Sequence, residues 1–237
     1  MRIAEIFRSI QGEGRLTGTW SVFVRASGCN LRCRFCDTPY ASSAADGEDL
    51  SVEEIIGRVE RLGESPSETP AAAEHVVITG GEPMLFAEMI PLAAALRRAG
   101  KHMTIETSGT LYLPVECDLM SISPKLSNSR PTDRQDPRWA RRHERNRHVP
   151  EVIRRLVAEY DYQVKFVVDT PADCREVEKY LAEFPEIDRT RAMLMPQGTT
   201  VEELAEKARW LEPYCAEHDL TFCPRRQIEW FGQRRGT

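Results

Sequence analysis

The 237-residue chain contains no run approaching the ~18 consecutive apolar residues of a membrane helix, so no membrane span is expected. Residues 1–11 lack the basic start and apolar core of a secretory leader, and the expectation is a cytoplasmic protein. No internal repeat of fixed period is present, which excludes a solenoid or propeller. Positive charge is not in excess: the net charge is −5, which argues against a direct nucleic-acid binder. A paired set of spaced cysteines is also missing. There are seven, an odd count, and three crowd into residues 29–36, a pattern of metal or cluster ligation rather than of a disulfide scaffold.

What is present reads as a globular protein, with 41% hydrophobic and 29% charged residues. The length suits one domain or two, and we read a single domain over 1–237. Apolar runs at 1–10, 21–26, 75–79, 103–106, 119–121, 163–168, 192–195 and 220–223 predict strands. Helices are predicted at about 84–98, closed by Gly100, and at 150–160, 171–183 and 201–217. A further helix begins at Ser51, where Ser51-Val52-Glu53-Glu54 has the form of a capping box and Ile55, Ile56, Val59 and Leu62 follow at helical spacing. Residues 65–73 read as a Pro- and Ser-rich loop. Strand and helix alternate, which predicts parallel pairing and an α/β fold. Polar residues fall just after several strands, and parallel folds build their sites at the carboxyl ends of strands.

One stretch breaks this pattern. Residues 125–155 carry ten Lys and Arg against four Asp and Glu, with a basic insert at about 126–148. A solvated, partly flexible insert is the favoured reading, and a docking surface for an acidic electron donor is the alternative.

Cys29-Asn30-Leu31-Arg32-Cys33-Arg34-Phe35-Cys36 is the strongest signal. Thiolates suit iron–sulfur clusters, zinc and copper(I). Structural zinc wants four protein ligands, and the next Cys or His is His75, well downstream and at the head of a predicted strand. Asp37 would be a poor fourth ligand. Three cysteines on a four-iron cluster leave one iron without a protein ligand, free to chelate the amino and carboxylate groups of S-adenosylmethionine. Reductive cleavage of that sulfonium would give a 5′-deoxyadenosyl radical, chemistry that side chains do not supply. Phe35 could shield the cluster or approach adenine, or it could pack on the core. Cys117, Cys174, Cys215 and Cys223 are scattered and read as small buried apolar residues.

The triplet followed by Gly80-Gly81-Glu82-Pro83 resembles the radical S-adenosylmethionine superfamily. That resemblance implies a partial, incomplete parallel α/β barrel with a reduced set of helices. It also implies contact of Gly81 and Glu82 with the methionyl ammonium. The segment Phe7 to Gly14, then Arg25, Gly28 to Leu31 and Cys36-Asp37-Thr38, is similar to the 7-carboxy-7-deazaguanine synthase family. The similarity continues through 106–110, 123–125, 195–198 and 232–237. It implies a carbon–nitrogen lyase that converts 6-carboxy-5,6,7,8-tetrahydropterin to 7-carboxy-7-deazaguanine with loss of ammonia, in queuosine and related 7-deazapurine biosynthesis. A 4Fe-4S cluster, S-adenosylmethionine, Mg2+, a flavodoxin-like electron donor and a homodimer are implied with it.

Carried over residue by residue, Cys29, Cys33 and Cys36 would hold the cluster and Thr38 would give a hydroxyl to Mg2+. Phe35, Asp37, Gly81, Glu82, Glu106, Ser108, Ser123, Pro124, Lys125 and Gln197 would contact S-adenosylmethionine. Ile10, Gln11, Gly12, Glu13, Arg25, Thr79 and Thr237 would contact the pterin, with Arg25 offering a planar fork to its carboxylate. One departure is evident, because Gln227 stands near where family members often carry a histidine. Two other readings compete. A glycyl-radical activase shares the cysteine spacing, and a noncatalytic zinc module would use the same thiols.

Overall fold

The computed structural model describes residues 1–42, 46–64, 73–132 and 136–236. In chain order the elements are β1 (Arg2–Ile10), β2 (Trp20–Ala26), α1 (Pro39–Ser42), β3 (Glu48–Asp49), α2 (Val52–Gly63), β4 (His75–Gly80), α3 (Met89–Arg98), β5 (His102–Thr107), β6 (Leu119–Ile122), α4 (Pro137–Asn146), α5 (Pro150–Glu159), β7 (Tyr162–Val168), α6 (Pro171–Glu183), β8 (Ala192–Pro196), α7 (Val201–Glu217), β9 (Thr221–Phe222) and α8 (Arg226–Phe231). The described strands form one sheet in the order β3-β1-β2-β4-β5-β6-β7-β8-β9.

From β2 to β9 every pairing is parallel. β1 pairs antiparallel with both β2 and β3, so the parallel pairing expected from the strand–helix alternation begins at β2. The reason is local: the short 11–19 connection can return the chain only alongside its own strand, whereas parallel strands need long crossovers.

The sheet is not closed, yet it curls. The Arg226 N–H donates to Gly12 O (3.0 Å) and the Gly14 N–H to Cys223 Sγ (3.2 Å). The turn after β1 thus meets the chain that follows β9. This is the partial α/β barrel that the sequence implied.

Alternation along each strand sorts the two faces. Val22 and Val24, Ile78, Ile105, Met120 and Ile122, Val164 and Phe166, and Leu194 join Ile55, Val59, Leu92, Leu96, Leu156, Val177 and Leu211 in one core under the helices. Burying each such side chain is worth roughly 1.5–3 kcal/mol. The intervening residues Arg25, Thr79, Glu106, Ser121, Lys165 and Met195 face a cavity on the concave side.

Capping explains the helix starts. Ser51 and Glu54 form the expected capping box, with the Glu54 N–H on Ser51 Oγ at 3.2 Å and the Ser51 N–H on Glu54 Oε2 at 2.8 Å. Thr200 and Glu203 repeat it at α7. The helix predicted from about residue 84 begins five residues later. Glu82 accepts the Met84 N–H through its side chain (3.1 Å) and holds Pro83–Leu85 as a single 3-10 turn.

The basic insert is partly helical and keeps Arg138, Arg141, Arg142 and Arg145 exposed. Within it, Asp136 caps α4 by accepting the N–H groups of Arg138 and Trp139 (2.9 and 3.0 Å), and Ala140 and His143 are buried. The predicted strand at 220–223 shortens to β9, and most of the predicted loop at 65–73 lies outside the described residues. Cys174, Cys215 and Cys223 are buried as expected, whereas Cys117 is only half-buried. Among the described residues, no helix is long and apolar enough to cross a membrane.

Candidate active site

The concave face holds a cavity of about 560 Å³. The loop after β2 brings Cys29, Cys33 and Cys36 to it, with Phe35, Asp37 and Thr38 beside them. The loop is braced from within. Asn30 Nδ2 donates to Thr110 Oγ1 (2.9 Å), Thr110 Oγ1 shares a hydrogen bond with Ser108 Oγ (2.9 Å), and Ser108 Oγ donates to Glu82 Oε2 (2.5 Å). Glu82 also accepts from Thr107 Oγ1 (2.8 Å) and from the Ser108 N–H (2.8 Å). A fully buried carboxylate is thus consumed by four donors, the Met84 N–H included.

The Glu82 carboxylate accordingly does not line the cavity, and neither does Pro124. Glu82 acts instead by fixing the backbone beside it. Gly81 lines the wall, and a Cβ there would come within 2.2 Å of Gly28 O, so only glycine lets β4 and the cysteine loop approach this closely.

Burial pushes the Cys29 thiol up to about 11 and the Cys33 thiol up to about 12, with the neighbouring cysteines adding to the shift. The thiols would therefore bind metal only by giving up protons to it. Among the described residues, no three His, Cys, Asp or Glu side chains are gathered tightly enough to hold a single metal ion. Three thiols on one loop, at Cys-x3-Cys-x2-Cys spacing, suit a four-iron cluster that leaves one iron without a protein ligand.

The other end of the cavity is ionic. Lys165, 3% exposed in the middle of β7, donates to Glu13 Oε2 (2.9 Å) and Glu106 Oε1 (3.4 Å). Arg225 donates from Nε to Glu13 Oε1 (3.4 Å), from Nη1 to Gly198 O (2.7 Å) and from Nη2 to Asp37 Oδ2 (2.5 Å). Burial alone would raise Glu13. The Lys165 and Arg225 charges outweigh it and hold the carboxyl at about 2. Lys165 is shifted upward, because the two carboxylates overcome the cost of its burial.

Glu106 also accepts from Thr79 Oγ1 (2.9 Å) and Gln11 Nε2 (3.4 Å), and Gln11 Oε1 accepts the Glu13 N–H (3.1 Å). Gln227 Nε2 donates to Glu13 Oε1 (2.6 Å), while Gln227 Oε1 is buried with no hydrogen-bond partner among the described residues. A Cβ on Gly12 would meet Gln227 within 2.3 Å, so this junction also requires glycine.

Ile10, Gln11, Gly12, Glu13, Arg25, Thr79, Gly81, Glu106, Ser108, Ser123, Lys125 and Gln197 all reach the cavity wall. Arg25 Nε donates to Glu5 (2.7 Å), and Lys125 Nζ donates to the backbone and hydroxyl oxygens of Ser123 (both 2.7 Å). Lys207 Nζ donates to Gln197 Oε1 (3.2 Å). Thr237 lies outside the described residues, but 232–236 run along the cavity, and Arg235 lies 4.4 Å from the Tyr40 ring. Sequence reasoning missed Lys165 and Arg225. A lysine inside an otherwise apolar strand was the available signal for the first, and nothing local marked the second.

Residues 23–126 match the family model described as the radical SAM superfamily. The 7-carboxy-7-deazaguanine synthase of Rhodopirellula baltica is 44% identical over 99% of this chain and 88% of its own length. That of Halobacterium salinarum is 41% identical over 95% of this chain and 88% of its own. Among solved structures, QueE from Escherichia coli aligns with a TM-score of 0.71 at 23% identity, covering 94% of this chain and 92% of that one. Streptococcus suis SuiB bound to S-adenosylmethionine aligns with a TM-score of 0.53 at 14% identity, over 87% and 54%. At these identities the two structures speak for the fold.

Proposed function

This chain belongs to the 7-carboxy-7-deazaguanine synthase family, and from that premise we propose that it is a radical S-adenosylmethionine lyase. It converts 6-carboxy-5,6,7,8-tetrahydropterin to 7-carboxy-7-deazaguanine with loss of ammonia, in queuosine and 7-deazapurine biosynthesis. The observation that carries this reading is a single cavity with three loop thiols at one end and a hydrogen-bonding ionic wall at the other.

The thiolates of Cys29, Cys33 and Cys36 would hold a 4Fe-4S cluster. When bound, the cluster and S-adenosylmethionine supply a carbon radical able to take hydrogen from C6 of the pterin. The chain's own residues bind, orient and shield. The backbone at Gly81, fixed by Glu82, offers acceptors to the methionyl ammonium, and Phe35 and Asp37 stand beside the last cysteine. Glu106, Ser108, Ser123, Lys125 and Gln197 supply the remaining polar wall for S-adenosylmethionine.

A pterin presents donors and acceptors side by side. Gln11, Gly12, Glu13 and Thr79 match such an edge, and the open Gln227 Oε1 would accept one more N–H. Arg25 faces the substrate carboxylate, and Ile10 adds apolar contact. Because Glu13 stays ionised and Lys165 protonated, substrate meets a fixed pattern of charge. The Thr38 hydroxyl, on the cavity wall beside Cys36 Sγ (3.9 Å), would contribute to a magnesium site. Seven unpaired cysteines favour a reducing, cytoplasmic setting. A homodimer follows from the family resemblance.

The test is anaerobic reconstitution, with iron and sulfide measured per chain and the product identified by mass spectrometry. About four of each, with conversion of the carboxypterin, is expected. Cys33→Ser should lose both the iron and the product. About one zinc without sulfide would sink the reading. So would an intact cluster that leaves the carboxypterin unchanged, as a glycyl-radical activase would.

A further inference from the structure

The basic helix α4 is bolted to the outside of the cysteine loop. His143, fully buried, accepts the Arg32 N–H at Nδ1 (3.2 Å), which places its own proton on Nε2, facing Ser129 Oγ (2.9 Å). Ser129 Oγ donates in turn to Leu126 O (2.6 Å), and Ser129 O accepts the Arg34 N–H (2.9 Å). The guanidinium of Arg32, from the loop, lies 4.1 Å from the Trp139 ring centroid, and that of Arg142, from the helix, lies 4.7 Å from it. The Arg32–Trp139 contact and the Arg32 N–H on His143 thus join the helix directly to the chain between Cys29 and Cys36, and Ser129 adds a second link by touching His143 while accepting the Arg34 N–H.

The side of α4 facing away from the loop is a field of arginine. Arg138, Arg141, Arg142 and Arg145 are exposed, and the intervening Glu144 is occupied by Arg147 (2.7 Å). Arg130, Arg138, Arg141, Glu144 and Arg145 line a shallow concavity of about 690 Å³. This concentration of positive charge sits on a chain whose net charge is −5.

The cysteine site needs one electron from outside. The other four cysteines are scattered, and among the described residues no further group of three metal-ligating side chains exists. Resting on the reading of the cysteine site given above, we propose that the exposed face of α4 is the docking surface for an acidic flavoprotein that delivers this electron. In each event the donor's flavin hydroquinone is oxidised to the semiquinone and the cluster is reduced by one electron, with no covalent bond formed between the proteins. Complementary charge would steer the encounter and hold the donor on the helix that packs directly against the one loop carrying the thiolates, so that only α4 lies between the two proteins' redox sites. A second copy of this chain is disfavoured, because a self-complementary contact would set arginine against arginine. Nucleic acid is disfavoured because the patch is a single helix of 10 residues on an acidic molecule.

The experiment compares the reconstituted enzyme with an R138E/R141E/R145E variant. Each is driven by an acidic flavodoxin with its reductase, and separately by dithionite. The dissociation constant for oxidised flavodoxin is read from flavin fluorescence. The variant should bind at least about tenfold more weakly and lose at least about tenfold in flavodoxin-driven kcat/KM. Its dithionite-driven turnover should stay within about twofold. Flavodoxin-driven turnover of the unaltered enzyme should also fall steeply as salt is raised. If the reversal variant does not fold, R138Q/R141Q/R145Q carries the same comparison.

Equal losses with both reductants, or unchanged flavodoxin binding, overturn the proposal. So does duplex RNA binding that the variant loses while flavodoxin-driven turnover is unaffected. Absence of turnover by the unaltered enzyme even with dithionite would instead overturn the reading of the cysteine site, and this surface with it.

Discussion

The two ends of the cavity are built on opposite principles. At the cysteine end, one carboxylate, Glu82, is surrounded by donors from neutral groups, and the loop is held by hydroxyls, an amide, a neutral imidazole and backbone. At the ionic end, Glu13, Glu106, Lys165 and Arg225 hold one another by charge. The difference teaches what each end must tolerate. A cluster loop has to keep its shape around thiols whose protons are lost to metal; hydrogen bonds from neutral groups fix its interior, and among the described residues ion pairs hold it only at Arg34 and Asp37. The ionic end, which we propose takes the pterin, must present fixed donors and acceptors to a polar ligand, and ion pairs preorganise them.

The largest expected effect comes from breaking the ionic end. Lys165→Met leaves Glu106 without its cation and Glu13 with Arg225 alone, and should destabilise the protein by about 3–5 kcal/mol in urea unfolding. Adding Glu13→Gln should recover part of that loss, whereas additive effects would mean that the pair is not coupled. The cysteine end should respond less. Glu82→Gln replaces two acceptor oxygens by one oxygen and an NH2 group that confronts a donor. It should cost about 1–3 kcal/mol and weaken S-adenosylmethionine binding, measured by calorimetry, while the Lys165–Glu13 pair stays intact.

Acid should give the gentlest and most gradual effect, and it separates the ends by pH. Burial holds His143 at about 4, helped by the Arg147 charge, and burial with His102 holds His75 at about 4. Between the ordinary value of 6.5 and about 4, the unfolded imidazoles bind protons and the folded ones do not. Stability therefore falls as pH drops through that window. Glu13 behaves as a depressed carboxyl: its contribution is complete above 4.5 and is lost only as pH falls toward about 2. Unfolding measured from pH 7 down to pH 3 should show proton uptake from the histidines first. A profile with no slope above pH 4.5 would break the comparison.

Much of this was legible in the chain. The capping box at Ser51 and the helices α6 and α7 follow from patterns a few residues long, and local hydrogen bonding realised them unchanged; the predicted strands also formed, the last of them shortened to Thr221–Phe222. The cysteine end was legible for the same reason, since Cys29, Cys33, Cys36 and Gly81 sit in short contiguous motifs. The errors have physical causes too. Glu82 read as a ligand contact because a glutamate beside glycines in a site is polar and available, but its carboxylate was already saturated by Thr107, Ser108 and Met84. The insert read as solvated because seven arginines lie between 126 and 148. Two buried residues, Ala140 and His143, nevertheless sufficed to seat α4 on the cysteine loop.

The sequence by itself determined the strand and helix order, the thiol triplet and the glycines that let backbone come close, because each is a property of neighbours along the chain. Only the tertiary structure decided that residues 13, 106, 165 and 225 would share one charge network, and that an arginine-rich helix would sit against the thiol loop. The physical reason is the curl of the sheet. It brings the turn after β1 against the chain after β9, and no short-range pattern records a contact between groups separated by more than 200 residues.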